Sequence, residues 1–157
     1  MNTNNPIKLG VDTAMRRFGF SQKSMTWFRD LEEVVLVAEL QKSNYGNQYY
    51  VNLGVLVKGL PRSGKKMPPK EHECHIRSRL ESPSPEMNTK IKQALDLDDQ
   101  SIDEEERRHR VEKAVSEIAI PFLLQCGSCE KIRAAHLRGA LDNTLMHKDV
   151  RSQWETS

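Results

Sequence analysis

VVLVAELQKSNYGNQYYVNLG, residues 34–54, places two strand-like apolar runs around a polar connection, and its reading decides the fold. Val34, Val35, Leu36, Val37 and Ala38 run without a polar break, the pattern of a strand covered on both faces and therefore central in its sheet. In the second run Tyr49, Val51, Leu53 and Val55 alternate with Tyr50, Asn52, Gly54 and Leu56, giving one apolar face and one mixed face. The two runs predict an antiparallel hairpin over Glu33–Gln41 and Gln48–Lys58. Its turn end, Gln41 to Gln48, is dense in Asn, Gln, Ser, Lys and Tyr and carries no catalytic constellation. That makes it a candidate binding surface.

Upstream, Ile7, Val11, Ala14, Met15 and Phe18 recur at helical spacing, and Gly19 stands where a left-handed cap would end the helix. Met25–Arg29, with Trp27 and Phe28, has strand composition, and Asp30-Leu31-Glu32 is a turn. Downstream, Gly59–Lys70 holds three prolines, two glycines and four Lys/Arg, an exposed loop. His72–Leu80 alternates again. It puts Cys74, Ile76, Ser78 and Leu80 on one face and His75, Arg77 and Arg79 on a basic one.

After the break at Ser82-Pro83-Ser84-Pro85 the chain turns helical. Lys90–Leu95 is a short helix, and Ser101 with Glu104 fits a capping box ahead of the stripe Val111, Ala114, Val115, Ile118. Pro121 is expected to kink or end that helix, and Ser128–Leu141 resumes the pattern. The expected class is α+β: an antiparallel sheet of about four strands with N-terminal and C-terminal helices on one face. One domain over 1–157 is expected, with the first helix and sheet in 5–80, C-terminal helices in 88–145 and a tail from 146 to 157.

The chain is 157 residues long, the size of one domain. Its charge is unevenly shared: residues 1–80 carry 13 Lys/Arg against 7 Asp/Glu, and residues 81–157 carry 11 against 15. Such asymmetry favours steering of an oppositely charged partner. No apolar stretch approaches the ~18 residues of a membrane span. The start, MNTNNPIKLG, lacks the order of a secretory signal, and three cysteines make no disulfide framework. A reducing cytoplasm is the expected location.

Individual motifs carry little chemistry. Cys126-Gly127-Ser128-Cys129 has the spacing of a redox pair, but it falls between two helices rather than after a strand. Zinc would need further ligands, and Cys74 and His75 point to opposite faces of one strand. Arg62-Ser63-Gly64-Lys65-Lys66 lacks the spacing of a phosphate loop. Asp96, Asp98 and Asp99 begin like a calcium loop, yet the sixth and twelfth places hold Ser101 and Arg107. His75, His109 and His136 have no motif partner. No cofactor or metal is expected.

The blocks Gly19-Phe20, Trp27-Phe28-Arg29-Asp30-Leu31, Leu40-Gln41-Lys42-Ser43, Tyr45-Gly46-Asn47-Gln48 through Val55, and Cys74-His75-Ile76-Arg77-Ser78-Arg79-Leu80 occur in a telling order. Together they resemble the bacterial family of small proteins known as domain of unknown function 4304, over roughly residues 10–80. The resemblance implies a bacterial α+β domain with no established activity, so it transfers no catalytic residue.

The functional expectation is a non-catalytic protein-binding factor of the bacterial cytoplasm, an immunity or antitoxin-like inhibitor of a toxin or effector, acting as a monomer or homodimer. Its contact residues are expected to be Gln41, Lys42, Asn44, Tyr45, Asn47, His75, Arg77 and Arg79. One alternative is a nucleic-acid-associated protein, with Lys42, Lys65, Lys66, Arg77 and Arg79 on phosphates. The other is a thiol-dependent enzyme using Cys126 and Cys129.

Overall fold

The apolar run at 34–38 does become a central strand. The computed structural model describes residues 5–61 and 66–155. In it α1 (Pro6–Arg17) is followed by β1 (Ser21–Lys23), β2 (Thr26–Asp30), β3 (Val34–Lys42) and β4 (Tyr49–Val57). A 3₁₀ turn (Glu71–Glu73) leads into β5 (Ile76–Arg79). Then come α2 (Pro85–Ala94), α3 (Glu104–Ala114), a π-helical turn (Val115–Ala119), α4 (Ile120–Leu124), α5 (Cys129–Leu137), β6 (Leu145–Met146) and α6 (Lys148–Glu155).

The sheet has six antiparallel strands in sequence order, not four. The two additional strands are its short edges, β1 and β6, whose three and two residues are too few to show a period of two. The segment from 146 on is no tail. Met146 pairs with Ile76, and Val150 of α6 is fully buried.

Helices and sheet share one large core. Val34, Leu36 and Ala38 of β3 and Val51, Leu53 and Val55 of β4 pack there with Ile7, Val11, Ile91, Val111, Ile120 and Ile132 from the helices. Val35 and Val37 face the other way, into a small cluster with Leu56, Cys74 and Phe28. The helices thus occupy one face. On the opposite face Cys74 and Glu71 lie directly over Gly54, where a β-carbon would stand 2.7 Å from the Cys74 Sγ.

Caps and breaks follow local chemistry. Asn5 caps α1, its Oδ1 accepting from the Ile7 N–H at 2.9 Å, and Gly19 takes the left-handed conformation at φ +85°. At α3 the cap is Asp103, whose Oδ1 accepts from the Glu106 N–H at 2.8 Å. Ser101 instead bonds Asp99 and Gln93 (so the Ser101–Glu104 capping box does not form) because Asp103 stands directly ahead of the first helical residue. Pro121 neither ends the helix nor breaks it. The wide π turn just before it donates from Ile120 N–H to Val115 O. Proline has no N–H and crowds the carbonyl four residues back, and one extra residue per turn relieves that locally.

Candidate binding groove on the open face of the sheet

The register of β3, β4 and β5 gathers polar side chains on the face the helices leave open. Glu39 lies opposite Asn52, Gln41 opposite Tyr50, Asn52 opposite Arg79, and Gly54 opposite Arg77. Directly opposed residues share a face. The depression over them has a volume of about 330 Å³ and is lined by Gln41, Asn52, Glu71, Arg77, Ser78 and Arg79, together with Glu81, Asn143 and Leu145.

Its floor holds two hydrogen-bonded sets, Gln41–Asn52–Arg79 and Arg77–Glu71. Asn52, buried, donates from Nδ2 to Gln41 Oε1 at 2.7 Å and accepts on Oδ1 from Arg79 Nε at 3.0 Å. The Arg79 guanidinium lies over the Tyr50 ring, 4.4 Å from its centroid, a cation–π arrangement that holds the charge in place. Arg77 forks onto the buried Glu71 carboxylate, Nε to Oε1 at 3.0 Å and Nη2 to Oε2 at 3.1 Å. Arg77 is therefore neutralised, whereas Arg79 makes no ion pair among the described residues.

Glu39 shows what this face does to a further carboxylate. Burial pushes its acid up from the ordinary glutamate range, and Glu71 adds to the effect. The sign follows directly: with the folded value raised, the carboxyl costs nothing below the unfolded pKa and loses stability as pH rises through the folded one. Glu39→Gln is expected to raise the melting temperature at pH 7, with the gain vanishing near pH 4. Paired thermal melts of both proteins across that range check it.

The expected contact residues divide. Gln41, Arg77 and Arg79 meet in the groove. Lys42, Asn44 and Tyr45 are exposed near the hairpin end and do not line it. Asn47 instead fastens the hairpin to the loop after α2: its N–H and Nδ2 donate to the Asp98 carboxylate at 3.3 and 2.8 Å, and Leu97 N–H donates to Asn47 O. Those bonds hold Asp98 below the usual carboxylate range.

His75 does not stand on the basic face with Arg77 and Arg79. It precedes β5, is buried, and its Nδ1 accepts from Val57 N–H at 2.9 Å while Nε2 lies 2.7 Å from Pro61 O. Because Val57 N–H only donates and Pro61 O only accepts, the proton sits on Nε2. The alternation fails here because the 3₁₀ turn resets the face, and that turn also places Cys74 with Val35 and Val37 on the open side. His75→Phe leaves the Val57 N–H unpaired and is expected to cost about 1–3 kcal/mol, readable by urea unfolding.

Sequence reasoning missed Asn52 and Glu71 as site residues. Asn52 had a signal, since it is an amide in the middle of an otherwise apolar strand. Glu71 had none, because its place depends on a turn and on the missing side chain of Gly54.

The thiols are poorly placed for chemistry. Burial pushes Cys126 up to about 12, and burial together with Glu71 does the same for Cys74. Cys129 is raised by burial and by Glu33, whose carboxylate accepts from the Cys129 N–H at 3.2 Å at the start of α5. An acid there takes the helix-terminal position that would have favoured a thiolate. Lys65 and the rest of 62–65, including most of the basic loop motif, lie outside the described residues.

Fold and site define an α+β protein in which an antiparallel meander carries helices on one face and a built polar groove on the other. The family model described as "Domain of unknown function (DUF4304)" matches residues 11–125, and the chain belongs to that family. The match runs well past the blocks at 10–80 and stops just before Cys126. No curated protein and no solved structure matches the chain. No described helix is long and apolar enough to cross a membrane.

Proposed function

We propose that this protein is a non-catalytic protein-binding factor of the cytoplasm, of the immunity or antitoxin kind that blocks a toxin or effector, and that the open face of the sheet is its contact surface. The observation that carries the reading is the groove floor: Arg79 is held by Asn52 and Tyr50, is exposed, and has no described ion-pair partner. A cation fixed before the partner arrives loses little side-chain freedom on binding. The unequal charge of the two halves adds steering. Two further features support a non-catalytic role. Burial pushes the Cys74 and Cys126 thiols up to about 12, and His75 has both ring nitrogens engaged.

Phosphate-backbone binding receives less support, since Glu71 neutralises Arg77 and Glu81 lines the same groove. The test is a tagged pull-down from the native host with and without nuclease, read by mass spectrometry. A stoichiometric protein that survives nuclease and fails to bind an Arg79→Glu variant is the expected result. Loss of every partner on nuclease treatment would overturn it.

A further inference from the structure

Arg79 fixes more than its own position. A guanidinium only donates, so the Asn52 atom 3.0 Å from Arg79 Nε must be the carbonyl oxygen. Asn52 then has only its amino group left for Gln41, and the Gln41 atom at 2.7 Å must be Oε1. The polarity of the relay is set end to end. Among the described residues each amide oxygen of the relay already accepts one bond inside the floor, while the terminal nitrogens of Arg79 and the Nε2 of Gln41 donate to none. Arg77 adds a third such donor, because Nε and Nη2 are on Glu71 and Nη1 is not. The central amide is buried, so the relay is part of the fold rather than a loose surface arrangement.

We infer that this groove is a carboxylate-recognition site, in which Arg79 and Gln41 donate to one carboxylate of an acidic segment of the protein partner. This rests on the protein-binding reading above. A planar acceptor-only carboxylate matches the donor-only, fork-shaped guanidinium of Arg79, the one cation of the groove lining without a described ion pair. Glu81 also lines the groove and repels such a ligand, so Glu81→Gln is expected to tighten binding a few-fold.

The experiment is a side-chain NMR titration of the full chain, following Arg79 Nε–H and the Gln41 amide. The probes are a hexaglutamate peptide, N-acetylglutamate and inorganic phosphate. Saturable shifts at both side chains with the peptide are expected, weakened about tenfold or more in Arg79→Met. Asn52→Asp is the discriminating variant. It keeps the shape and the bond to Arg79, and its folding is verified by a thermal melt because position 52 is buried opposite Glu39. Its carboxylate neutralises the guanidinium and gives Gln41 an acceptor to face, which turns the Gln41 oxygen outward.

Peptide binding that survives Asn52→Asp unchanged would overturn the inference, as would phosphate shifting both groups at lower concentration than either carboxylate. No saturable shift with any carboxylate would overturn it too. If N-acetylglutamate binds and the peptide does not, the carboxylate site stands and the protein-binding reading falls. If a captured host protein binds equally to wild type and Arg79→Met, the protein-binding reading stands and the carboxylate site falls.

Discussion

Arg107→Leu is expected to destabilise the protein by about 3–5 kcal/mol, enough to unfold most of a marginal domain at 37 °C. Arg107 is 3% exposed and its guanidinium donates to backbone carbonyls only: Gln93 O at 2.9 Å, Ala94 O at 3.0 Å, Asp96 O at 2.6 Å, and Asp99 O. These carbonyls end α2 and form the turn behind it, where a helix leaves acceptors unpaired and its dipole favours a cation. The same turn receives the β3–β4 hairpin, with Tyr49 N–H donating to Leu95 O at 2.7 Å. Removing the guanidinium therefore strips acceptors in the interior and loosens the hairpin anchor together. Arg107→Lys is expected to recover only part of the loss, since an ammonium has three donors at a single point. Urea unfolding monitored by circular dichroism measures both. A Leu variant within about 0.5 kcal/mol of wild type would mean that water replaces the guanidinium without cost.

Gly10→Val is expected to cost about 3 kcal/mol or more, and even Gly10→Ala is expected to destabilise. Intrinsic propensity alone says the reverse, because Ala in a helix interior is better than Gly by about 1 kcal/mol. The neighbour decides. A β-carbon at position 10 would lie 2.7 Å from the backbone oxygen of Arg108 and 3.0 Å from the Val111 β-carbon. Backbone cannot swing aside as a side-chain end can, so α1 and α3 must separate and open the core around Val11 and Val111. Thermal melts of both variants settle the sign. A stabilised Ala variant would show that the helix pair gives way freely.

Much of this architecture was legible because it is periodic. The run at 34–38 announced a strand buried on both faces, and Tyr49, Val51, Leu53 and Val55 sorted correctly onto the helical face. What escaped was short or non-local. β1 and β6 have too few residues for alternation to register, and the π turn at Val115–Ala119 has no composition of its own. The groove was half legible. Gln41, Arg77 and Arg79 were visible as polar residues on strands, but their meeting depends on register across three strands. His75 misled because the alternation was extended backwards through a 3₁₀ turn, and Asn47 because an exposed-looking amide proved to be an anchor for Asp98.

The most direct measurement is the affinity of the captured partner for purified wild type, Arg79→Glu and Asn44→Ala, each checked for an unchanged melting temperature. Arg79→Glu is expected to lose at least about a hundredfold, because it removes a charge-assisted contact and sets like charges against each other. Asn44→Ala, outside the groove, is expected to bind as wild type does. If Arg79→Glu bound as tightly as wild type, the open face of the sheet would not be the contact surface.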